Sequence, residues 1–391
     1  MLKLDIIKTA LFTPNADGNW GLPLILWSDP GKAKSAVLAQ IAKAFGMRLK
    51  VLPPGQMGEG VFGVTPYPVK TERGVRMTFP APGWIDEFYA ADGSELAGIV
   101  FPDETNTAPP ALQAAVMGMI NDRRVGDAYL PKRVRVLGAA NPTVTSAGGW
   151  DLSAPAANRN GHIDWDGATV EEWADYMVGA MHGCTPVDAA VEEKRVLGVW
   201  DGEWAKAAGM VSAFVTRNSK HYHNMPASGD PQQSRAWSSP RTLELATRAL
   251  AGASIHSLDE SDTQELFAAF VGKGCCKEFI AWRKKLDLPD PAALLDGKVK
   301  FAHDPSRLDR TFATLASCVT LVTPPNADKR QERAKKLWTI MAEVAVDAAD
   351  VIVPTVRALA KPRLGTASPE ARPVLIKLAP MLAAAGITVK E

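Results

Sequence analysis

The segment that most constrains the fold is 24–35, where an apolar run leads into a short turn and then into an amphipathic stretch. The run Leu24–Trp27 predicts a buried strand, because it is short, wholly apolar and bounded by a turn. The turn contains Pro30 and Gly31. From Lys34 onward, apolar residues recur at the spacing of one helical face, at Leu38, Ile41, Ala42 and Phe45. A buried strand that turns directly into a helix predicts an α/β layer structure.

The order strand, glycine-containing turn, Lys34-Ser35 and helix is that of a phosphate-binding loop. In such a loop, backbone N–H groups and the helix N-terminus face the anion, the lysine adds positive charge and the hydroxyl reaches Mg²⁺. Ser28 and Ala33 stand where the pattern G-x-x-x-x-G-K-[ST] has glycines. Because glycine permits close backbone approach and unusual dihedral angles, we expect strain or weaker binding from these replacements. On these residues alone, an ordinary strand–turn–helix is the alternative.

Polar side chains also follow two later predicted strands. The apolar run 97–101 leads through a proline into Asp103 and Glu104. Beside a phosphate-binding loop, such an Asp orients Mg²⁺ or its water, and the adjacent Glu polarises the attacking water. The strand Val134–Ala140 stops at Asn141, whose amide suits a place between the acids and the terminal phosphate. The alternatives are solvated acids that end a strand and an Asn-Pro turn.

Strands that alternate with helices predict a parallel sheet with helices on both faces. Ligands of such sheets bind beyond the carboxyl ends of the strands, so polar side chains at those ends are predicted to converge. They are Lys34, Ser35, Asp103, Glu104 and Asn141. The predicted fold class is α/β, a P-loop NTPase αβα core with a parallel sheet, followed by a helical lid and a helical C-terminal extension. The convergence predicts an ATPase.

Composition limits the other function classes. The 391 residues carry a net charge of +1, which argues against general electrostatic attraction to nucleic acid or membrane. No stretch reads as a signal peptide or a membrane span, and the cysteines lack zinc-ligand spacing, so we expect a cytoplasmic protein with reduced thiols such as Cys275 and Cys276. His221 and His223 are predicted to be a surface pair rather than a metal site. The segment 272–276 is predicted to be a structural loop.

Three further patterns give local predictions. The segment 75–84 is predicted to form a small hairpin insert around its proline-rich turn. Thr169, with Glu172 three residues later, is a helix N-cap signal in a mostly helical region. An apolar stripe in 334–348 predicts a helix face that lies in a core or at a subunit interface.

Four segments together resemble the nucleotide-binding motifs of AAA+ ATPases, in particular the MoxR-like branch. They are 28–35 (Walker A), 101–106 (Walker B), 121–125 (the end of the following helix) and 139–142 (sensor 1). The resemblance implies that ATP is bound by Asp29, Pro30, Gly31, Lys32, Ala33, Lys34, Ser35, Ala36 and Arg241. It also implies that Ser35 and Asp103 hold Mg²⁺, that Glu104 activates water and that Asn141 positions it.

The resemblance implies roles for two arginines. Arg159 stands where the family carries an arginine finger that reaches the neighbouring subunit's nucleotide, although Asn158 and Asn160 replace the usual flanking Asp and Phe. Such an arginine offsets charge that develops on the γ-phosphoryl group. The alternative is a surface arginine paired with an acid. Arg241, after Pro240, resembles sensor 2, and the alternative is an ordinary arginine at a helix start.

The resemblance also implies a domain order and a biological role. We expect an AAA+ core at 1–167, a helical lid at 168–290 and a helical C-terminal extension at 291–391. A homohexamer that hydrolyses ATP would remodel, or load cofactor into, a client protein, possibly a von Willebrand factor A domain protein. One alternative is a nucleotide-gated scaffold ring with little or no hydrolysis. The other, a nucleic-acid motor or loader, is disfavoured by the near-neutral charge and the lack of a basic stripe interleaved with aromatic residues.

Overall fold

The structure is a computed structural model, and it describes residues 3–142, 151–178, 186–325, 327–360 and 362–384. The chain divides into two compact units, which are described separately. The first contains Met1–Gly198 and His223–Cys276, and the second contains Val199–Tyr222 and Lys277–Glu391. These boundaries differ from the predicted division at 167 and 290, so the three-domain scheme stays a prediction.

The first unit is built on a five-stranded parallel sheet. Its strands are β1 (Leu24–Trp27), β2 (Arg48–Leu52), β3 (Gly98–Pro102), β4 (Val134–Ala140) and β5 (Gly161–Asp164). They lie in the order β2-β3-β4-β1-β5, and each neighbouring pair is parallel. Every residue of β1, β3 and β4 is buried, as in sheets covered on both faces. The predicted α/β fold, a P-loop core with a parallel sheet and a helical C-terminal region, is therefore confirmed.

The strand register aligns the carboxyl ends of the strands. Trp27, the last residue of β1, lies opposite Ala140 of β4 and Asp164 of β5. Leu52 of β2 lies opposite Pro102 of β3 in the same way. The residues that directly follow these strands therefore share one edge of the sheet.

Nine helices lie wholly or partly in the described residues of the first unit. They are α1 (Leu4–Leu11), α2 (Lys34–Ala44), α3 (Pro110–Asn121), α4 (Ala154–Ala157), α5 (Val170–Met177), α6 (Ala189–Arg217), α7 (Pro240–Ile255), α8 (Glu260–Val271) and α9 (Lys273–Arg283). Val116 of α3 is buried in one apolar cluster with Ile25 and Val136 of the sheet. Helices α7 and α8 pack on each other, and α8 also packs on β5. A side chain at Gly161 would put its Cβ 2.8 Å from the Phe270 ring, so only glycine permits this close packing.

Helix starts follow the predicted capping chemistry. The Thr169 hydroxyl accepts the N–H of Glu172, while the Glu172 carboxylate accepts the N–H of Thr169 at 2.8 Å. This confirms the N-cap predicted for α5. Helix α7 begins with Ser239 as N-cap and Pro240 in its first turn, where the missing proline N–H costs no hydrogen bond.

The hairpin insert lies upstream of its predicted position. Tyr67–Thr71 pairs antiparallel with Gly74–Thr78, so the turn lies near Gly74 and not in the predicted proline-rich segment. The first strand was missed because it begins in a Gly- and Pro-rich stretch and contains Pro68. A two-stranded ribbon tolerates proline, since each strand has one unpaired edge. A second short hairpin joins Arg124–Val125 to Ala128–Tyr129.

The second unit is helical. Besides parts of α6 and α9, it contains α10 (Pro291–Leu295), α11 (Leu308–Val322), α12 (Arg330–Val344), α13 (Ala349–Ala360) and α14 (Arg372–Ala384). Trp338 is fully buried in its core and donates its indole N–H to the Leu364 carbonyl at 2.8 Å. The apolar stripe predicted in 334–348 lies in this core.

Two local predictions were wrong. His221 is buried rather than on the surface: its Nε2 lies 3.0 Å from a Glu278 carboxylate oxygen, and its ring stacks on Phe214. The segment predicted as a loop at 272–276 is mostly the first turn of α9, in which Cys275 and Cys276 are buried. Among the described residues, no group of His, Cys, Asp and Glu has the arrangement of a metal site. No helix in the described ranges is long and apolar enough to cross a membrane.

Candidate nucleotide-binding site

The loop between β1 and α2 directs one buried lysine toward neighbouring strands. Lys34 is 8 % exposed, and its ammonium group donates to the Ser28 hydroxyl at 2.7 Å and to the Asn141 side-chain oxygen at 3.1 Å. A longer contact of 3.4 Å reaches the Ser28 carbonyl. An ammonium has three donors, so these three acceptors satisfy it. Of the other residues predicted to bind nucleotide in this loop, Ser35 is half-buried. The rest are exposed: Asp29, Pro30, Gly31, Lys32, Ala33 and Ala36.

Carboxylates surround the Lys34 ammonium. Burial lowers the pKa of Lys34 from its usual value, and the negative charges of Asp103, Glu104 and Asp29 oppose that shift. The buried cation is thus stabilised by charges on the loop itself and on the segment after β3. A phosphate group would meet a positive charge that is already fixed in place.

Ser35 and Asp103 present adjacent oxygens. The Ser35 hydroxyl donates to one Asp103 carboxylate oxygen at 2.7 Å, and the other carboxylate oxygen accepts the N–H of Glu104 at 3.0 Å. Hydroxyl and carboxylate oxygens are ligands that Mg²⁺ prefers, and Mg²⁺ commonly takes only one or two of them from the protein, with phosphate and water as the rest. The side chains therefore fit a Mg²⁺ site of this type.

Glu104 is held in an unusual backbone conformation. Its φ of 53° and ψ of 43° lie in the left-handed region, which is uncommon for a residue with a side chain. The Asp103 carboxylate accepts the Glu104 N–H. The Glu104 carbonyl accepts the Thr107 N–H at 2.9 Å and the Thr107 hydroxyl at 2.8 Å. Strained residues that the surroundings fix in this way cluster at functional sites.

The two departures from the loop pattern differ physically. Ala33 has φ of 59° at the N-cap of α2, so it adopts a conformation that favours glycine. Ser28 is not among the described residues with positive φ, so no backbone constraint calls for glycine there. Instead, its hydroxyl binds Lys34. Trp165, directly after β5, steadies the loop by donating its indole N–H to the Lys32 carbonyl at 2.9 Å.

Asn106 joins this site although the sequence did not single it out. Its amide nitrogen donates to the Asn141 carbonyl at 2.7 Å, and its amide oxygen accepts the Asn141 N–H at 3.1 Å. Asn106 is fully buried and Asn141 is 3 % exposed. In the sequence, only the position of Asn106 two residues after Glu104 could have marked it as a site residue. Its partner Asn141 could be identified only after the strands were placed side by side.

The two arginines make no described hydrogen bond to this group. Arg159 follows α4, is half-buried and donates to the Pro155 carbonyl at 3.0 Å. Arg241 is exposed in the first turn of α7. In the described part of the chain, no hydrogen bond joins either arginine to Lys34 or Asp103. Asn158 connects their two segments, since its amide accepts the Ser239 hydroxyl at 2.7 Å and donates to the Trp237 carbonyl at 3.0 Å.

The fold and the lysine loop together define the class as an α/β protein with a P-loop core. No family model and no curated protein matches the chain. Among solved structures, it is similar to a proposed ATPase of Cytophaga hutchinsonii, with 14 % identity and a TM-score of 0.41, over 68 % of this chain and 78 % of that one. A likeness at that level carries no weight for function, which is proposed from the side chains alone.

Proposed function

We propose that this protein is a MoxR-like AAA+ ATPase that hydrolyses ATP with Mg²⁺. One observation carries the proposal: at the carboxyl edge of the sheet, Lys34 donates to Asn141 at 3.1 Å, and the adjacent Ser35 donates to Asp103 at 2.7 Å, so three separate segments meet there. Ligands of open parallel sheets bind at this edge. The combination of a buried lysine, a hydroxyl, a carboxylate and an amide suits a nucleoside triphosphate with its metal.

The chain's own residues would divide the chemistry as follows. Lys34 would hold the β- and γ-phosphate oxygens, while Ser35 and Asp103 would hold Mg²⁺, which offsets the charge of those oxygens when bound. Glu104 would accept a proton from the attacking water, and Asn141 would position that water. The contacts of Lys34 with Asn141 and of Ser35 with Asp103 support these assignments.

Two residues would act from outside this group. Arg159 would reach the γ-phosphate of a neighbouring subunit, which requires an oligomer, and we propose a homohexamer. Arg241 would sense nucleotide from the start of α7. The exposed position of Arg241 leaves its guanidinium accessible to a ligand. Turnover would drive remodelling of, or cofactor loading into, a client protein.

Steady-state phosphate release tests the enzymatic part. We expect wild-type protein with Mg²⁺ and ATP to release phosphate, Glu104→Gln to stop turnover while it still binds nucleotide, and Lys34→Ala to lose nucleotide binding. Glu87→Gln is the matched control, because it makes the same change at an exposed carboxylate that pairs with Lys50, and it should keep the wild-type rate. Equal rates for wild type and Glu104→Gln would contradict the role of Glu104.

The bond between Ser28 and Lys34 favours a second candidate function. Because the Lys34 ammonium is satisfied by the protein, a phosphate must displace at least one of its partners. A nucleotide-gated scaffold that binds ATP and hydrolyses it little would fit such a site. Nucleotide binding with negligible phosphate release by the wild type would select this candidate.

A further inference from the structure

A continuous chain of buried hydrogen bonds links the lysine loop to the segment after β3. It runs from Ser28 to Lys34, from Lys34 to the side chain of Asn141, and through the Asn141 backbone to the side chain of Asn106. All four residues are at most 8 % exposed. Buried networks of this kind fix side chains firmly when every member is satisfied.

Asn106 occupies a special place in that chain. Its amide makes two opposed hydrogen bonds to one residue, so it fixes both the N–H and the C=O of Asn141. Asn141 directly follows β4, so it lies outside the strand and its backbone is not part of the strand pairing. The direction in which its side chain leaves the backbone therefore depends on Asn106, which lies 35 residues earlier in the chain.

We propose that Asn106 is a positioning residue for ATP turnover, because it holds the Asn141 backbone so that the Asn141 amide oxygen meets Lys34. The inference rests on the proposed ATPase function and adds to it a residue whose amide is bonded to Asn141 and is assigned no contact with the nucleotide or the metal. Asn106 also lies two residues after Glu104, so it ties the segment that carries the proposed base to the residue that positions water.

A double-mutant cycle tests this role. If Asn106 acts through Asn141, Asn106→Ala and Asn141→Ala should each lower kcat at least about tenfold, a loss typical of residues that orient a reactive group. The double variant should fall no further than Asn141→Ala alone. KM should change less than kcat. Losses that multiply in the double variant would overturn the inference.

Thr105→Val is the matched control. Thr105 is fully buried in the same turn as Asn106, but its hydroxyl donates to the Pro102 carbonyl at 3.1 Å and not to Asn141. We expect this variant to keep a near-wild-type kcat. An equal loss of kcat in Thr105→Val would show that any disturbance of the turn has the same effect, and would overturn the positioning role.

Hydrogen exchange provides a readout that needs no activity. The Asn141 N–H should exchange at least about tenfold faster in Asn106→Ala than in wild type or Thr105→Val, because its acceptor is gone. If Asn106→Ala does not fold, Asn106→Asp replaces it. The aspartate keeps the oxygen that accepts the Asn141 N–H but puts a second oxygen against the Asn141 carbonyl. In this variant we expect the Asn141 N–H to exchange slowly and kcat to be reduced. A wild type that releases no phosphate would overturn the proposed function itself. An active wild type, together with unchanged Asn141 exchange in Asn106→Ala or an unchanged kcat in Asn106→Asp, would overturn only this inference.

Discussion

Lys34 Nζ lies 2.7 Å from the hydroxyl oxygen of Ser28, the residue that stands where a phosphate-binding loop usually has its first glycine. The loop thus supplies its own acceptor for the cation that would bind phosphate. Since Ser28 has no positive φ, this replacement changes the chemistry of the site without straining its backbone. A competing acceptor inside the loop is a direct physical reason for weaker nucleotide binding.

Removal of the Ser28 hydroxyl should therefore strengthen nucleotide binding. In Ser28→Ala, Lys34 loses one buried acceptor, which destabilises the protein without nucleotide by about 1 kcal/mol and leaves a donor free for phosphate. We expect the Kd for ATP, measured by equilibrium titration, to fall by about threefold to tenfold. Weaker binding by Ser28→Ala would mean that the hydroxyl assists the phosphate instead of competing with it.

Ala33, which stands at the second glycine position of the loop pattern, should affect the stability of the fold. Ala33 has φ of 59°, where a Cβ costs about 1–2 kcal/mol relative to glycine, partly offset by the greater freedom of glycine in the unfolded chain. Ala33→Gly should raise the free energy of unfolding by about 0.5–1 kcal/mol, measured in urea. Ala39→Gly, at an exposed position within α2, is the control and should lower it by about 1 kcal/mol.

The sequence alone predicted the parallel sheet and several of the residues at its carboxyl edge. Continuous apolar runs predicted β1 and β4, and the rule that ligands bind at the carboxyl edge brought Lys34, Asp103 and Asn141 together before any coordinates. These signals are local, because a buried strand must be apolar along its whole length. The α5 cap was predictable for the same reason, since its two partners are three residues apart.

Partners distant in sequence were not predictable. The role of Asn106 depends on Asn141, and the burial of His221 depends on Glu278, 57 residues later on another helix. A polar segment around His221 indicated a surface loop, whereas tertiary contacts decided its burial. Ser28 was noticed only as a missing glycine, because nothing in the local pattern shows where the Lys34 ammonium lies.

Acid should destabilise the first unit through His162. The Trp27 indole donates to His162 Nδ1 at 2.9 Å, so the ring is neutral and its Nε2–H donates to the Ala157 carbonyl at 3.0 Å. Burial lowers the pKa of His162 to about 4 from 6.5. Between these values the unfolded chain binds a proton that the folded chain does not, so stability falls as pH falls.

Between pH 7.5 and pH 5, His162 should lower the free energy of unfolding by about 2 kcal/mol. Burial also lowers the pKa of His256 to about 4, so that residue contributes in the same direction. His162→Gln keeps a donor and an acceptor but does not titrate. Its unfolding free energy in urea should therefore decline less steeply with acid than that of wild type; an equally steep decline would contradict the assignment.

Arg135 should be the most costly cation to remove from the first unit. Its fully buried guanidinium donates to Glu193 at 2.5 Å, to the Leu11 carbonyl at 3.1 Å and to the Arg133 carbonyl at 2.6 Å. Arg135→Met leaves Glu193 with only the partly exposed Arg133 at 2.9 Å and removes the donor of two carbonyls, so we expect a loss of about 3 kcal/mol in the free energy of unfolding. Lys50→Met, which breaks the exposed pair with Glu87, should cost less than about 1 kcal/mol. Similar losses in both variants would contradict the importance of burial.

The proposed action of Arg159 between subunits predicts complementation of two inactive variants. Lys34→Ala cannot bind nucleotide but offers Arg159, whereas Arg159→Ala binds nucleotide but lacks the arginine for its neighbour. Mixed in equal amounts and allowed to exchange subunits, they should recover about a quarter of wild-type phosphate release, because random mixing pairs an intact site with an intact arginine at that share of interfaces. Each variant alone should stay inactive. No recovery in oligomers shown by mass measurement to be mixed would mean that Arg159 acts within its own subunit or not at all, and a protein that stays monomeric with ATP would exclude a role between subunits.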